Sequence, residues 1–142
     1  MDDQTVKGTV ELVVPADTRL VRVARLVASG VASTAGFDVE EIEDVRIAVD
    51  EGCAALIETG DGSSLLLSFE LADDAMEVYG SAAARPSASF DPTRLSLSKQ
   101  ILAVVSDDHE LATDRGRATF RIRKRRRQPG APTSSTSSTD AG

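Results

Sequence analysis

The segment RIAVDEGCAALIETG, residues 46–60, contains the residue best placed to do chemistry, the carboxylate Glu51 in the middle of a predicted helix. A carboxylate in that position can act as a general base that takes a proton from a water molecule or a hydroxyl group. Glu51 also lies opposite the apolar side of the predicted helix, where an ordinary solvated acid lies. The residue type and its position therefore leave both roles open.

A row of three arginines is the second candidate for function. Arg19, Arg22 and Arg25 recur every three residues on the first predicted helix. Residues 1–120 hold 10 Lys and Arg against 22 Asp and Glu, so this row is a local exception in an acidic body. Arginine forms paired hydrogen bonds with carboxylates, which suits a protein interface. A surface for an acidic partner and a merely solvated helix face fit the row equally well.

The remaining reactive residue types indicate structure rather than chemistry. Cys53 is the single cysteine and His109 the single histidine, and this pair cannot supply the ligands of a zinc site. Cys53 falls on the apolar side of its helix and is predicted to lie in the core. His109 follows Asp107 and Asp108 at a predicted helix end, where we expect a structural role.

Composition narrows the class of protein. The chain has 142 residues, of which 41% are hydrophobic and 27% charged, as in one soluble domain. No stretch approaches the ~18 apolar residues of a membrane span, and the start has no apolar run, which predicts a cytoplasmic protein. The acidic body argues against general nucleic-acid binding. The basic run RIRKRRR contains no aromatic residue for base stacking, so it is interpreted as an edge strand with a solubilising tail.

Hydrophobic spacing predicts eight elements in the order β-α-α-β-β-α-β-β. The predicted spans are 6–14 (strand), 17–34 and 39–58 (helices), 64–71 and 75–80 (strands), 92–106 (helix), and 110–113 and 117–123 (strands). On the first helix, Leu20, Val23, Ala24, Val27 and Val31 form the predicted apolar stripe, facing away from the arginines. We therefore predict an α+β fold, a two-layer α/β sandwich whose mixed, mostly antiparallel sheet has helices on one face. Residues 1–124 form the predicted domain, and 125–142 a disordered tail, basic and then Ser/Thr-rich.

This order of elements resembles the bacterial anti-sigma factor and serine-protein kinase family, which has the GHKL (histidine-kinase-like) ATPase fold. DVRIAVDEGCAALIE is similar to its first nucleotide motif, I-x-x-A-V-x-E-A-x-x-N. SFDP, residues 89–92, is similar to the end of its D-x-G-x-G-F-D-P motif. ILAVVSDDHEL, residues 101–111, is similar to its I-x-x-L-x-D segment before a closing strand. The resemblance covers about residues 6–124.

The resemblance implies ATP and Mg²⁺ as cofactors, yet the residues that should hold them are degenerate. Glu51 occupies the place of the family's general base, and Ala55 the place of its Mg²⁺-ligating asparagine. The D-x-G-x-G region retains only Gly80, and the later phosphate-binding box, residues 93–100, has no glycine. The cofactor is therefore undetermined, no metal ligand is assigned, and Glu51 is interpreted as a relic of the general base.

The resemblance also implies partners. The predicted function is an anti-sigma factor that sequesters an alternative RNA polymerase sigma factor and is released by an anti-anti-sigma (STAS-type) antagonist. Arg19, Arg22 and Arg25 are assigned to contacts with the sigma factor or within a homodimer. The loop 84–94, with Arg85 and Arg94, is assigned to the antagonist. The alternative function is an active serine-protein kinase that binds ATP and phosphorylates its antagonist.

Overall fold

The computed structural model describes residues 6–127, which fold as a two-layer α+β sandwich. The elements are β1 (Gly8–Val14), a 3-10 turn (Thr18–Leu20), α1 (Val21–Thr34), α2 (Val39–Thr59), β2 (Leu65–Leu71), β3 (Ala75–Ala83), α3 (Pro92–Val105), β4 (Asp108–Asp114) and β5 (Arg117–Arg125). None of the helices within these residues combines the length and apolarity needed to span a membrane. The predicted fold class and the order of elements are confirmed.

The sheet has the strand order β1-β2-β3-β5-β4, and each of the ladders between these strands is antiparallel. A mixed sheet was the expectation, and the parallel pairing it implies does not occur in the described strands. Leu65, Leu67 and Phe69 alternate on β2 and are buried under the helices. The residues between them point to the other side of the sheet, which carries no helix. The sheet therefore has one covered face and one open face.

Helix α1 packs against the rest of the domain through a stripe that keeps Ala24, Val27 and Val31 of the predicted one but not Leu20 and Val23. Leu20 and Val23 are exposed. The buried positions of α1 are Val21, Ala24, Ala28, Val31 and Ala32. Alanines at three of the five buried positions let the two helix backbones approach closely. The spacing of apolar residues predicted Leu20 and Val23 in the core because it does not reveal how closely two helices approach.

Strand β5 is not the edge strand that the basic run predicted, since it lies between β3 and β4. Its Arg121 projects from the open face and is flanked by acids of both neighbouring strands, Glu77 at 3.2 Å and Asp108 at 3.0 Å. The hydrogen bond from the Arg121 guanidinium holds the pKa of the Asp108 carboxyl below its usual range. The arginines of β5 thus have acidic neighbours within the sheet.

Pairing with β5 also shifts two predicted boundaries. Strand β3 continues to Ala83, so Gly80 lies inside the strand rather than at its end. Strand β4 begins at Asp108, which places His109 within a strand opposite Ile122 instead of at a helix end. The added residues are small or charged and have low β propensity, so only the tertiary ladder specifies them as strand.

The end of β5 is fastened to the start of α2. Lys124 Nζ lies 2.8 Å from an Asp44 carboxylate oxygen, and the backbone N–H of Arg127 donates to Glu41 Oε2 at 2.6 Å. Residues 128–142, which include most of the predicted tail, lie outside the described residues, as do residues 1–5. The predicted boundary between domain and tail therefore stays a prediction.

The ion pair between Arg121 and Asp108 predicts a pH-dependent contribution to stability. Because the folded-state pKa of Asp108 is depressed, the ionised carboxylate favours the folded chain above its unfolded pKa of about 4, and this contribution is lost as pH falls through the folded value. We expect the urea midpoint of the wild-type chain to fall more between pH 7 and pH 3 than that of Arg121→Gln. Lys99→Gln, at an exposed helical cation, should behave as wild type. An equal fall in all three proteins would contradict the prediction.

Candidate partner surface and degenerate nucleotide site

Helix α2, which carries Glu51, begins at a capping box. The Asp38 side chain accepts a hydrogen bond from the Glu41 N–H, and the Glu41 side chain accepts one from the Asp38 N–H, both at 2.8 Å. Glu41 is only 2% exposed, and its second carboxylate oxygen accepts from the Arg127 backbone. A buried carboxylate with these donors is satisfied rather than reactive. The box therefore fixes the start of α2.

Glu51 and Ala55 lie one turn apart on α2, as the motif spacing predicted. Glu51 is half-buried, and among residues 6–127 its carboxylate has no hydrogen-bond or ion-pair partner. Ala55 is 5% exposed, so a methyl group packed in the protein stands where the resembling motif has a metal ligand. A methyl group offers no oxygen to Mg²⁺, which binds through oxygen ligands. The geometry at this position does not fit a magnesium-bound nucleotide.

Gly80 has a packing role. The buried Phe120 ring lies against Gly80 on β3 and against Gly52 on α2. A Cβ atom on Gly52 would lie 2.6 Å from this ring, and one on Gly80 would clash with the same ring. Both glycines are therefore required by an aromatic side chain of β5, and Gly80 lies within a strand.

The segment in the place of the phosphate-binding box is a regular helix. The Asp91 side chain caps α3 by accepting from the Arg94 N–H at 3.2 Å, and Pro92 occupies the first turn, where its missing N–H costs nothing. Ser98 and Leu102 are buried on the side of α3 that packs against the protein. In a helix these backbone N–H groups are used internally beyond the first turn, so they cannot form a loop around phosphates.

The exposed side of α1 combines arginine with apolar residues. Arg22 and Val23 are exposed, and Leu26 is 63% exposed. At 100° per residue these three side chains lie within one third of the helix circumference, opposite the buried alanines. We call them the α1 outer face. Leu26 was not among the predicted residues, and Val23 was predicted on the buried side. The alanines at positions 24, 28 and 32 are the signal in the sequence that marks the true contact.

The other two arginines of the row have partners. The Arg19 guanidinium is bonded to Asp17 at 2.8 Å and lowers the pKa of that carboxyl to about 2, while Arg25 lies 2.6 Å from Asp50 on α2. Arg25 therefore links α1 to the turn of α2 that carries Glu51. Arg22 projects without an ion-pair partner among the described residues.

The two arginines assigned to the loop 84–94 meet at the other end of α2. The Arg85 guanidinium donates to the carbonyl oxygens of Glu58 at 2.8 Å and Gly60 at 3.0 Å. Arg94 lies 3.9 Å from the Glu58 carboxylate. Cations at a helix C-terminus complement its dipole and its free carbonyl groups, so both side chains support the helix end. The structure therefore separates the predicted arginines into two groups, one on α1 and one at this helix end.

Cys53 lies in the core, as predicted. Its side chain is buried, and burial raises the pKa of the thiol to about 12. The thiolate is the reactive form of cysteine, so this residue is inert at neutral pH.

The fold, together with the altered nucleotide-binding motif on α2, defines the class of protein. Residues 14–138 match the family described as "Histidine kinase-like ATPase domain", and the chain belongs to that family. Its relatives include the serine-protein kinase RsbW of Halalkalibacterium halodurans, 40% identical over 72 residues, which cover 49% of this chain and 44% of that protein. RsbW of Bacillus cereus is 33% identical over 85 residues, 58% of this chain and 51% of the relative. The chain thus spans about half the length of these relatives, and the family indicated by the motifs is confirmed.

Solved structures agree on the fold. The RsbU and RsbW domains of a Mycobacterium tuberculosis protein superpose with a TM-score of 0.67 at 16% identity, covering 84% of this chain and 32% of that one. The SiaB–SiaC complex of Pseudomonas aeruginosa gives a TM-score of 0.56 at 14% identity, covering 81% of this chain and 88% of the other. At these identities the likeness shows a shared fold alone.

The Phe120 contact predicts that Gly80→Ala destabilises the domain. Adding a methyl group against a ring that already touches Gly52 forces overpacking, which should lower the free energy of unfolding by about 2 kcal/mol. Gly30→Ala is the matched control, because Gly30 lies in α1 with open space around it, and that change should raise stability by about 0.5 kcal/mol. Urea denaturation measures both. The same midpoint for Gly80→Ala and wild type would contradict the packing role.

Proposed function

We propose that this chain is an anti-sigma factor that acts by binding and not by catalysis. Its target is an alternative RNA polymerase sigma factor in the cytoplasm, and a STAS-type anti-anti-sigma protein releases that target. The observation that carries the proposal is the buried methyl group of Ala55 beside Glu51, since it leaves the family scaffold without its metal ligand. Sequestration needs only a difference in affinity between two partners, which this scaffold can supply without chemistry.

The α1 outer face is the surface we assign to the sigma factor. Arginine is enriched in protein interfaces, and an arginine between exposed aliphatic side chains has the composition of an interface centre. Arg22 is the candidate anchor because it has no ion-pair partner among residues 6–127, whereas Arg19 and Arg25 are held by Asp17 and Asp50. An acidic patch on the sigma factor would complement Arg22.

The antagonist is assigned to the loop 84–94. Arg85 and Arg94 contact the C-terminal end of α2 and hold this loop against it. A partner that binds the loop would therefore bind a surface whose position is fixed by the helix. A homodimer completes the proposed assembly.

The second candidate function is a serine-protein kinase. It is supported by the relatives named RsbW and by the half-buried Glu51, which lies in the place of the general base. Because the geometry offers no ligand at Ala55, a kinase of this sequence would have to hold its nucleotide through other groups.

A nucleotide titration separates the two functions. We expect millimolar Mg-ATP to leave the melting temperature unchanged, since ligand binding to the folded state would raise it by mass action. Phosphate transfer to the cognate antagonist should be absent from wild type, from Glu51→Ala and from the control Glu43→Ala. A rise in melting temperature, with transfer that Glu51→Ala abolishes and Glu43→Ala retains, would establish the kinase and reject sequestration without chemistry.

Charge reversal tests the sigma surface. Arg22→Glu should weaken sigma binding at least about 10-fold, as expected for a central arginine, with no change in the urea midpoint. The matched control is Lys99→Glu, which reverses an exposed helical cation on α3. Calorimetry with the sigma factor recovered by co-purification from the native host measures the affinities. Equal affinity in Arg22→Glu and Lys99→Glu would remove the assignment of α1.

A further inference from the structure

The outward side of α3 carries no charged residue. Its exposed side chains lie within one third of the helix circumference at 100° per residue, opposite the buried Ser98, Leu102 and Val105. They are Thr93, Ser96, Leu97, Gln100, Ala103 and Val104, which we call the α3 outer face. Leu97 is 54% exposed and Val104 81%, and a shallow groove of about 490 Å³ lies beside Leu97. Charged residues are depleted at the centre of protein interfaces, so this face has the composition of an interface centre.

Cations lie beyond both edges of the α3 outer face. By the same helical spacing, Lys99 lies on one side of the face and Arg94 on the other. Helix α3 itself contains no acid, and Asp91 and Asp107 at its two ends accept hydrogen bonds from backbone N–H groups. Arg94 has Glu58 at 3.9 Å, whereas Lys99 has no ion-pair partner in the part of the chain that the structure describes. The flanks therefore attract a partner that carries carboxylates.

Three other occupants fit this face poorly. Lys99 lies near the middle of α3, so in a symmetric pair of α3 helices it would lie near its own copy and repel it. Residues 128–142 contain no apolar side chain larger than proline, so they cannot cover Leu97 and Val104. Half of the residues on the face are Thr, Ser or Gln, a composition that does not favour burial among lipid chains. A different protein is the occupant that the face fits.

The shape of the face indicates a helix as the docking element. Helix α3 has 14 residues and is about 21 Å long. The small Ser96 and Ala103 lie alongside Leu97 and Val104, so a partner's side chains can pack between the two larger ones. Amphipathic helices bind such surfaces with apolar residues at every third or fourth position. A contact limited to one helix face buries less than about 1,200 Å², the range of transient complexes, which suits a partner that binds reversibly.

We infer that the antagonist docks on the α3 outer face through an amphipathic helix whose apolar stripe is flanked by carboxylates. The inference rests on the proposed function and deepens it, because the loop assigned to the antagonist leads directly into α3 and Arg94 belongs to both. The sigma factor and the antagonist are then held by different helices.

Substitutions of the two large apolar residues test the face. Leu97→Glu and Val104→Glu should each weaken antagonist binding at least about 10-fold, because each places a carboxylate opposite those of the partner. The matched control is Val39→Glu, since Val39 is 82% exposed at the start of α2, and it should bind as wild type. Calorimetry with the antagonist recovered by co-purification from the native host measures the affinities, and the urea midpoint checks that each variant is folded.

Lys99→Glu separates the two partners. It should weaken antagonist binding about 5-fold, mainly through slower association, and make that binding less sensitive to salt. Sigma binding should stay unchanged. Arg22→Glu should do the reverse, weakening sigma binding while the antagonist binds as to wild type. Loss of both partners in both variants would contradict the assignment to different helices.

The results distinguish this inference from the proposed function. Folded Leu97→Glu and Val104→Glu that bind the antagonist as tightly as Val39→Glu would overturn the inference alone. A wild type that binds the sigma factor but no antagonist would also overturn it and leave sequestration standing. Antagonist binding that depends on α3, in a chain that binds no sigma factor, would support the inference and reject the proposed function. Variants that lose self-association, or binding to vesicles of anionic phospholipid, with antagonist affinity unchanged would assign the face to a second copy or to a membrane and so overturn the inference.

Discussion

The contact of the Phe120 ring with Gly52 and Gly80 is the constraint on which the two layers of this molecule depend. The ring belongs to β5, one glycine to the neighbouring strand β3 and the other to α2, so one side chain joins two strands and a helix. No side chain larger than hydrogen fits at either glycine. Interiors packed to this density do not deform gradually, so the position of α2 above the sheet is fixed within narrow limits.

The contact of Phe120 with Gly52 also holds the helix that carries the nucleotide-binding motif. Gly52 directly follows Glu51, and Ala55 lies on the next turn of the same helix, so the residues in question stand on a helix held by Phe120 at its middle and by Glu41 at its start. The helix is thus well supported while its metal ligand is absent. Such a combination fits a scaffold retained for shape, because the buried residues of the motif, among them Val45, Val49 and Cys53, pack in the core.

Local signals in the sequence predicted the elements well. Alternation in LLLSFEL defined β2, and Asp91 with Pro92 marked the start of α3, because caps and periodicity act within a few residues. Three features escaped prediction because they depend on distant partners. The alanine contact of α1 requires α2, the interior position of β5 requires β4, and the role of Gly80 requires Phe120 on another strand. The roles of Glu51 and the arginines stay predictions, since packing does not decide them.

The small residues packed in the interior affect which apolar residues lie at the surface. Alanines and glycines fill much of the contact of α1 and the space around Phe120, while Leu26 of α1 remains exposed. Leu26 is exposed in the helical layer and Leu66 on the open face of the sheet, so the two apolar surfaces lie on opposite sides of the sandwich. Surfaces on opposite layers do not compete for space. A protein bound at the α1 outer face would therefore leave the open face of the sheet accessible.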